Sequence, residues 1–144
     1  LMLGYLGQPE ETRARYTPDG AWFLTGDIGA MDAEGAVRYL GRGDDMMNAG
    51  GFRVSPVEVE AAMLEHPAIH EAAAVECRVA SGATVIALHY VAAEPLPDAE
   101  LAAFAAARLA RYKCPRIFRH ETHLPRGANN KLSRRALRDR EDAP

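Results

Sequence analysis

A run of 22 residues, 39–60, constrains the fold of this chain more than any other part of it. Arg42 lies between two glycines in this run and precedes a pair of aspartates. Gly50 and Gly51 then give two successive positions without a Cβ, where the backbone can adopt positive φ or let a ligand approach closely. We therefore expect a flexible charged turn followed by a glycine loop.

The sequence directly after the glycine loop predicts the start of a helix. Ser55 suits the N-cap, Pro56 suits the first helical position, and Glu58 completes a capping box. A charged turn, a glycine loop and a firmly started helix together indicate a hinge and a ligand-binding loop on a rigid support.

The hydrophobic pattern predicts an α+β fold, in which a small domain has a short sheet of about three strands covered by two helices. We expect helices at 56–66 and 98–112, strands at 69–79, 84–91 and 116–120, and a last helical turn or two at 133–140. A β-rich segment with short strands at 21–24 and 36–40 precedes this domain. That segment has too little apolar mass to form a domain alone.

Composition narrows the classes of function. A formal charge of -3 and a pI near 6.0 give no general case for a nucleic-acid partner or for membrane binding. No apolar run approaches the roughly 18 residues that span a bilayer. Cys77 and Cys114 have no metal-like spacing and are typical of reduced thiols in a cytoplasmic protein. The oligomeric state is left open by these patterns.

The basic residues are distributed unevenly. Residues 116–140 carry eight basic and two acidic side chains, which is typical either of a solvated face or of a site for a polyanion. Only Lys113 and Lys131 are lysines among the 17 basic residues of the chain. Because arginine supplies positive charge elsewhere, each lysine is a candidate for a specific role.

Three segments resemble, in order, motifs of the AMP-forming acyl-CoA synthetases, in the superfamily that includes adenylation domains and luciferases. FLTGDIG at 23–29 resembles the TGD motif, and the run at 39–60 resembles the junction between the large and small domains. LPRGANNKLSRRALR at 124–138 resembles the motif of the C-terminal catalytic lysine. The resemblance is to about the last quarter of such an enzyme.

This resemblance implies a domain organisation and a reaction. Residues 1–40 would be the tail of a truncated large N-terminal domain, 41–45 the hinge, and 46–144 a mobile C-terminal domain. Such ligases activate a carboxylic acid with ATP, giving acyl-AMP and pyrophosphate, and then transfer the acyl group to coenzyme A. ATP would bind with Mg²⁺ mainly in the N-terminal domain, so we expect this fragment to be nearly inactive alone.

Lys131 is the residue that the resemblance implies for adenylate formation. A compact ammonium on a flexible stem can reach the oxygens on which negative charge accumulates in the transition state. The family usually has glycine before this lysine, whereas this chain has Asn130. Asparagine tolerates left-handed backbone better than most residues, so the turn should be retained. The alternative is an ordinary surface lysine.

The TGD motif and the junction imply contacts with the nucleotide. Asp27, after Thr25, would accept hydrogen bonds from both ribose hydroxyls, because a carboxylate can bind a vicinal diol. Arg42 would hold the same ribose or its phosphate, and Asp44 matches the hinge position. The alternatives are a turn aspartate, an ion pair of Arg42 with Asp44 or Asp45, and an acidic loop.

The glycine loop is implied in the thioester-forming step. Gly50, Gly51 and Phe52 would line the channel for the pantetheine arm, and Arg53 would contact a phosphate of coenzyme A. The alternative for the glycines is a plain tight turn. Lesser contacts with coenzyme A are conceivable for Arg108, Arg111 and Lys113, although solvation of each is the simpler explanation.

The sequence also allows two functions other than that of an acyl-CoA ligase, and it contains one histidine pair that could suggest a metal site. An adenylating enzyme that loads a carrier-protein pantetheine would share the same glycine loop. A small RNA- or protein-binding module would need stacking aromatics on its sheet, where the sequence offers Tyr90 and Phe118. His120 and His123 have the wrong context for a metal site, so none is expected.

Overall fold

The structure, a computed structural model, describes residues 2–141. The chain divides into two compact units, the first ending at Asp44 and the second beginning at Asp45. The described elements are, in order, α1 (Pro9–Ala14), β1 (Asp27–Met31), β2 (Val37–Arg42), β3 (Met47–Ala49), β4 (Phe52–Val54), α2 (Pro56–Met63), β5 (Glu71–Arg78), β6 (Thr84–Val91), α3 (Asp98–Ala106), a 3₁₀ turn (Arg111–Lys113), β7 (Ile117–His120) and α4 (Arg134–Glu141). No helix of residues 2–141 is long and apolar enough to cross a membrane.

The first unit is built around the antiparallel pair β1–β2. The prediction of a strand at 21–24 is wrong, because Phe23 alone pairs there, in a single β-bridge with Tyr16. Trp22 and Leu24 remain exposed, since no facing layer covers them in this unit. The short helix α1 was not expected, although Pro9 and two following glutamates are typical of a helix start.

The second unit is a small α+β domain, as the sequence predicts. Its main sheet has the strand order β5-β6-β7, with β5 antiparallel and β7 parallel to β6. The strand expected at 84–91 is confirmed at both ends, and Gly82, with φ +79°, lies in the turn that precedes it. The helix expected at 98–112 ends sooner, at Ala106, and a separate 3₁₀ turn follows because Ala110 is extended.

Both faces of the main sheet are covered. Residues of α2 and α3, among them Val59, Met63 and Leu101, pack with Ile86 and Leu88 on one face. The opposite face packs against α4, which buries the side chains of Leu124, Leu137, Val75, Cys77 and Ala87. The two helices predicted over the sheet are therefore confirmed, and α4 adds a third layer.

A polar cluster of Cys77, His89, Arg119, Glu121 and Glu141 lies beneath the main sheet, at the end of α4. His89 is 2% exposed, and its Nδ1 lies 2.9 Å from Glu121 Oε1. Its Nε2 is 3.4 Å from Glu141 Oε1 but makes no hydrogen bond to a residue of the described range. Arg119 Nε donates to Glu141 at 3.0 Å, and the Cys77 thiol donates to the same carboxylate at 3.4 Å. Glu141 is therefore the point that ties α4 to β5, β6 and β7.

Candidate functional site

Four residues singled out from the sequence meet around one guanidinium in the first unit. Arg42 stands opposite Asp27 in the β1–β2 register, and its Nη1 donates to the carbonyl of Thr25 at 3.0 Å. Its Nε donates to Asp44 Oδ1 at 3.0 Å, while Asp27 Oδ1 is 3.8 Å from Nη1. The ion pair of Arg42 with Asp44, the alternative reading of this arginine, is thus present.

The Thr25–Asp27 turn is ordered by its own hydrogen bonds. The backbone N–H of Asp27 donates to Thr25 Oγ1 at 3.1 Å, and the N–H of Gly43 donates to the carbonyl of Gly26 at 2.8 Å. Gly26 has φ +82°, and a Cβ there would lie 3.0 Å from Nη2 of Arg42. A larger residue would therefore push the guanidinium away. The turn leaves the Asp27 carboxylate half-exposed, where it could accept hydrogen bonds from a diol.

In the second unit, the glycine loop is the two-residue turn of a hairpin. Strands β3 and β4 pair antiparallel, with Ala49 opposite Phe52, so Gly50 and Gly51 occupy the tip. Their φ values are +56° and +88°, and a two-residue turn of this kind requires positive φ at both positions. The tight turn that the sequence left as an alternative is therefore formed. A Cβ added at either glycine would meet no atom of residues 2–141 within 4 Å, so this part of the structure leaves the tip open to a ligand.

The hairpin is held on the domain from both sides. The backbone N–H of Asn48 donates to Glu76 at 2.6 Å. Ser55 caps α2 by accepting from the N–H of Glu58 at 3.3 Å, as the sequence predicts. The Glu58 carboxylate accepts from Lys113 Nζ at 2.6 Å, and this hydrogen bond raises the pKa of Lys113 although partial burial opposes it.

A cavity of about 490 Å³ adjoins the glycine loop. Phe52 stacks on Tyr112 at one side, with the ring centroids 4.6 Å apart. Two arginines at the cavity add positive charge, and the full lining comprises Ala49, Gly50, Phe52, Ala83, Thr84, Val85, Ile86, Arg111, Tyr112, Cys114 and Arg116. An aromatic pair beside arginines and a glycine tip suits a flat heteroaromatic ring joined to an anionic group.

Two further features of this region bear on its chemistry. Burial raises the pKa of the Cys114 thiol, an effect that the charge of Arg116 only partly offsets, so the thiol stays protonated at neutral pH. A larger cavity of about 760 Å³ lies between α3 and β7. It shares Arg111, Cys114 and Arg116 with the smaller cavity but has neither the glycine tip nor the Phe52–Tyr112 pair in its lining, so we associate ligand binding with the smaller cavity. Tyr112 was missed from the sequence, although its place in the basic segment RYK is a signal.

Lys131 lies at the end of a hydrogen-bonded turn. The N–H of Gly127 donates to the carbonyl of Lys131 at 2.8 Å, and the N–H of Asn130 donates to the carbonyl of Gly127 at 2.9 Å. Asn130 has φ +57°, the left-handed conformation expected of the residue that replaces glycine. The Lys131 side chain is exposed, and its ammonium has no hydrogen bond or ion pair with any residue from 2 to 141.

The helix after this turn is anchored by a partly buried cation. Arg134 donates to both carboxylate oxygens of Glu60, at 2.9 Å and 2.6 Å, and to Asp45 Oδ2 at 3.1 Å. Glu60 also accepts from the N–H of Ala74. Burial would lower the pKa of Arg134, but the hydrogen bonds and charges of its two acidic partners outweigh it and raise that pKa. The sequence does not identify Arg134 or Glu60 as partners, because they are 74 residues apart along the chain and no local pattern links them.

The described residues do not offer a metal site. No group of three or more histidine, cysteine, aspartate or glutamate side chains between residues 2 and 141 is placed to hold a metal ion. His120 Nε2 lies 3.0 Å from the carbonyl of Ala92 instead. The open sheet face that an RNA-binding module requires is also missing from this range, because helices cover both faces and Tyr90 is buried.

Comparison with known proteins adds an independent line of observation. The family model for the AMP-binding enzyme C-terminal domain matches residues 58–131, just over half of the chain. The chain is 39% identical over 137 residues to 2-succinylbenzoate--CoA ligase of Bacillus licheniformis, covering 95% of this chain and 28% of that protein. It is 35% identical over 144 residues to a dimodular nonribosomal peptide synthase of Bacillus subtilis, covering 95% of this chain and 6% of that protein.

A solved structure shares the architecture. The o-succinylbenzoate CoA synthetase of Bacillus subtilis, in complex with its acyl-adenylate intermediate, has a TM-score of 0.88 and 35% identity. The match covers all of this chain and 29% of that one. The present chain thus spans between a quarter and a third of the length of these two CoA ligases.

Proposed function

The chain belongs to the AMP-binding enzyme C-terminal domain family, and from that premise we propose that it acts as the C-terminal part of an AMP-forming acyl-CoA ligase. The observation that carries the proposal is the pairing, on one unit, of an exposed lysine on an ordered turn with a glycine hairpin tip beside an aromatic and basic cavity. The first feature suits adenylate formation and the second suits thioester formation.

In the first half-reaction, a carboxylate oxygen attacks the α-phosphorus of ATP, which gives acyl-AMP and releases pyrophosphate. Lys131 is the proposed catalytic residue, because its ammonium, which is exposed and unpaired within residues 2–141, can stabilise the negative charge that accumulates on the carboxylate and the α-phosphate. Asp27 and Thr25 would bind the ribose, and Arg42 would orient Asp27 and neutralise charge nearby. Mg²⁺ bound with ATP would neutralise the charge of its phosphates. The rest of the ligase would supply the ligands of this metal ion and the pocket for the carboxylic acid substrate.

In the second half-reaction, the thiol of coenzyme A attacks the acyl carbonyl, which forms the thioester and releases AMP. The tip at Gly50 and Gly51 would let the pantetheine arm pass close to the backbone. Phe52 and Tyr112 would stack on the adenine, and Arg53 would bind a phosphate. Rotation about Asp44 would exchange Lys131 for the glycine tip between the two steps.

A single variant tests this assignment. We would join this chain to o-succinylbenzoate CoA synthetase of Bacillus subtilis in place of its matching segment, and we call the product the assembled ligase. Lys131→Ala should lower ATP–pyrophosphate exchange about 100-fold or more, the size of effect seen when one transition-state donor is removed. Thioester formation from purified acyl-adenylate should be retained, and Arg135→Ala, which removes a nearby exposed charge, should change neither rate more than about 2-fold. Normal exchange in Lys131→Ala would show that the lysine is only a surface residue.

A second candidate is an adenylating enzyme that loads a carrier protein, which the likeness to the nonribosomal peptide synthase favours. Coenzyme A and carrier proteins present the same pantetheine arm, so the glycine tip suits both. The cavity beside the tip favours coenzyme A, because a carrier protein lacks the adenine that Phe52 and Tyr112 would stack on. Acyl transfer from the assembled ligase to free coenzyme A, compared with transfer to a pantetheinylated carrier protein, distinguishes the two.

A further inference from the structure

Arg126 bridges the lysine turn to the main sheet. Its Nη1 donates to the carbonyl of Asn130 at 3.2 Å, and its Nη2 donates to Glu71 Oε2 at 2.6 Å. Glu71 is the first residue of β5, which lies at the edge of the three-stranded sheet. One guanidinium thus connects the peptide group directly before Lys131 to a strand that is 55 residues away from Arg126 along the chain.

The position of this contact matters for the direction in which Lys131 leaves the turn. The carbonyl of Asn130 belongs to the peptide that joins it to Lys131, so fixing that oxygen fixes the orientation of the lysine backbone. Asn130 holds a left-handed conformation that a non-glycine residue adopts only at some cost. Two backbone hydrogen bonds close the turn, and the Arg126 contact is the only side-chain hydrogen bond made to it among residues 2–141.

The contact contributes little to overall stability. The side chains of Arg126 and Glu71 are 43% and 40% exposed, and exposed ion pairs are weak because water and salt screen them. Removing Arg126 should therefore leave the fold intact while freeing the turn. Such a pair is suited to orienting a neighbouring group rather than to holding the domain together.

We infer that Arg126 is a positioning residue for adenylate formation, which clamps the Asn130 carbonyl to Glu71 so that the Lys131 ammonium is directed toward the reacting oxygens. This inference rests on the proposed role of Lys131. Arg126 itself does not touch the reactants. The clamp belongs to the lysine turn alone, so it has no part in thioester formation at the glycine tip.

The test uses Arg126→Gln in the assembled ligase, with Arg78→Gln as the matched control. Arg78 is an exposed arginine at the opposite end of β5 and lies outside the proposed site. Arg126→Gln should lower the kcat of ATP–pyrophosphate exchange about 10-fold with KM for ATP changed less than about 2-fold, because a misdirected lysine weakens transition-state binding more than substrate binding. Thioester formation from o-succinylbenzoyl-adenylate and the melting temperature should match those of Arg78→Gln.

Hydrogen–deuterium exchange of residues 124–133 supplies a readout besides activity. Arg126→Gln and Glu71→Gln should each speed amide exchange of this segment, because the turn that Gly127 and Asn130 close is loosened, whereas Arg78→Gln should not. Unchanged amide exchange, or an equal loss of both half-reactions, would overturn the clamp. If Lys131→Ala leaves pyrophosphate exchange normal, the proposed function of the lysine fails and the catalytic part of this inference falls with it. If Lys131→Ala is inactive while Arg126→Gln is fully active, the inference alone is wrong.

Discussion

Arg134 and Asp45 form an ion pair at 3.1 Å that joins the first residue of the second unit to the helix that follows the lysine turn. The same guanidinium binds Glu60 on α2, so one cation connects three distant parts of the unit. Motion about the predicted hinge at Asp44 would therefore carry Asp45, α2 and α4 together.

Replacing this cation should destabilise the domain. We expect Arg134→Met to lower the free energy of unfolding of the chain by about 3 kcal/mol, because it leaves the buried Glu60 carboxylate without its counter-charge. Urea denaturation followed by circular dichroism measures the change. Arg135→Met, at the exposed neighbouring position, should change it by less than about 0.5 kcal/mol.

A second variant distinguishes a lost charge from lost packing. Adding Glu60→Leu to Arg134→Met removes the uncompensated carboxylate and should recover part of the stability, since apolar replacement of a whole buried ion pair is often tolerated. A double variant that is no more stable than Arg134→Met would show that packing, rather than the pair, accounts for the loss.

The glycine tip gives a prediction for the second half-reaction. Gly51→Ala places a residue with a Cβ at φ +88°, which costs about 1 kcal/mol of strain, although the Cβ meets no other atom of the described residues within 4 Å. Because the methyl group would occupy the proposed path of the pantetheine arm, thioester formation in the assembled ligase should fall about 10-fold while pyrophosphate exchange is retained.

Gly82→Ala is the control for that strain. Gly82 has φ +79° in the turn before β6, and an added Cβ there likewise lies more than 4 Å from every other atom that the structure describes, apart from its chain neighbours. It should cost a similar strain and leave thioester formation unchanged. Equal effects of the two substitutions on thioester formation would mean that backbone strain, and not a blocked thiol path, is responsible.

The aromatic pair predicts a contribution to coenzyme A binding. Tyr112→Ala should raise the KM for coenzyme A about 10-fold, because stacking of a base on an aromatic ring contributes about 1–3 kcal/mol. Tyr112→Phe keeps the ring and should behave like the unmodified protein. A KM that is unaltered in Tyr112→Ala would place the adenine elsewhere and leave the stack of Phe52 on Tyr112 as a structural contact.

The cluster beneath the sheet predicts how stability depends on pH. Burial alone would raise the pKa of Glu141, but hydrogen bonds from Arg119 and Cys77, together with the charges of Arg119 and His89, lower it below the ordinary value of 4.5. The Glu141 carboxylate therefore has a lower pKa in the folded state than in the unfolded state, so its ionised form stabilises the fold. This contribution to the free energy of unfolding is fully present above the ordinary pKa and is lost as the pH falls through the folded-state pKa.

Unfolding free energies measured from pH 7 to pH 3 check this sign. Glu141→Gln should be less stable than the unmodified chain at pH 7, and the difference should shrink as the pH falls below about 4.5. Glu94→Gln, at an exposed position, should follow the unmodified chain throughout. A difference that stays constant across this range would mean that ionisation of Glu141 is not what stabilises the domain.

The parts of the fold that the sequence predicts are those governed by local rules. The cap of α2 follows from Ser55 and Glu58, which are three residues apart, and β6 from an apolar run bounded by a glycine turn. The hairpin of β3 and β4 escaped prediction because each strand has three residues, too few to show an alternating pattern. The local signal that the sequence does carry for this hairpin is the Gly50-Gly51 turn, which has positive φ at both positions.

The candidate site shows the same division. Lys131 and the glycine tip are recognisable because each lies within a short motif. Arg134 is not, because Glu60 and Asp45 are 74 and 89 residues away from it along the chain, and no local pattern links positions so far apart. Arg126 was passed over for the same reason, since Glu71 is 55 residues distant.

The scarcity of lysine gives this chain a built-in labelling site. The chain has two lysine ε-amines, and that of Lys113 donates a hydrogen bond to Glu58. The raised pKa of Lys113 makes its neutral, nucleophilic form scarcer. The ε-amine of Lys131 is exposed and has no partner in residues 2–141. An amine-reactive fluorophore would therefore attach to the side chain at the lysine turn in preference to the other lysine. A fluorophore attached to Lys131 would thus report on the candidate active site without the introduction of a cysteine.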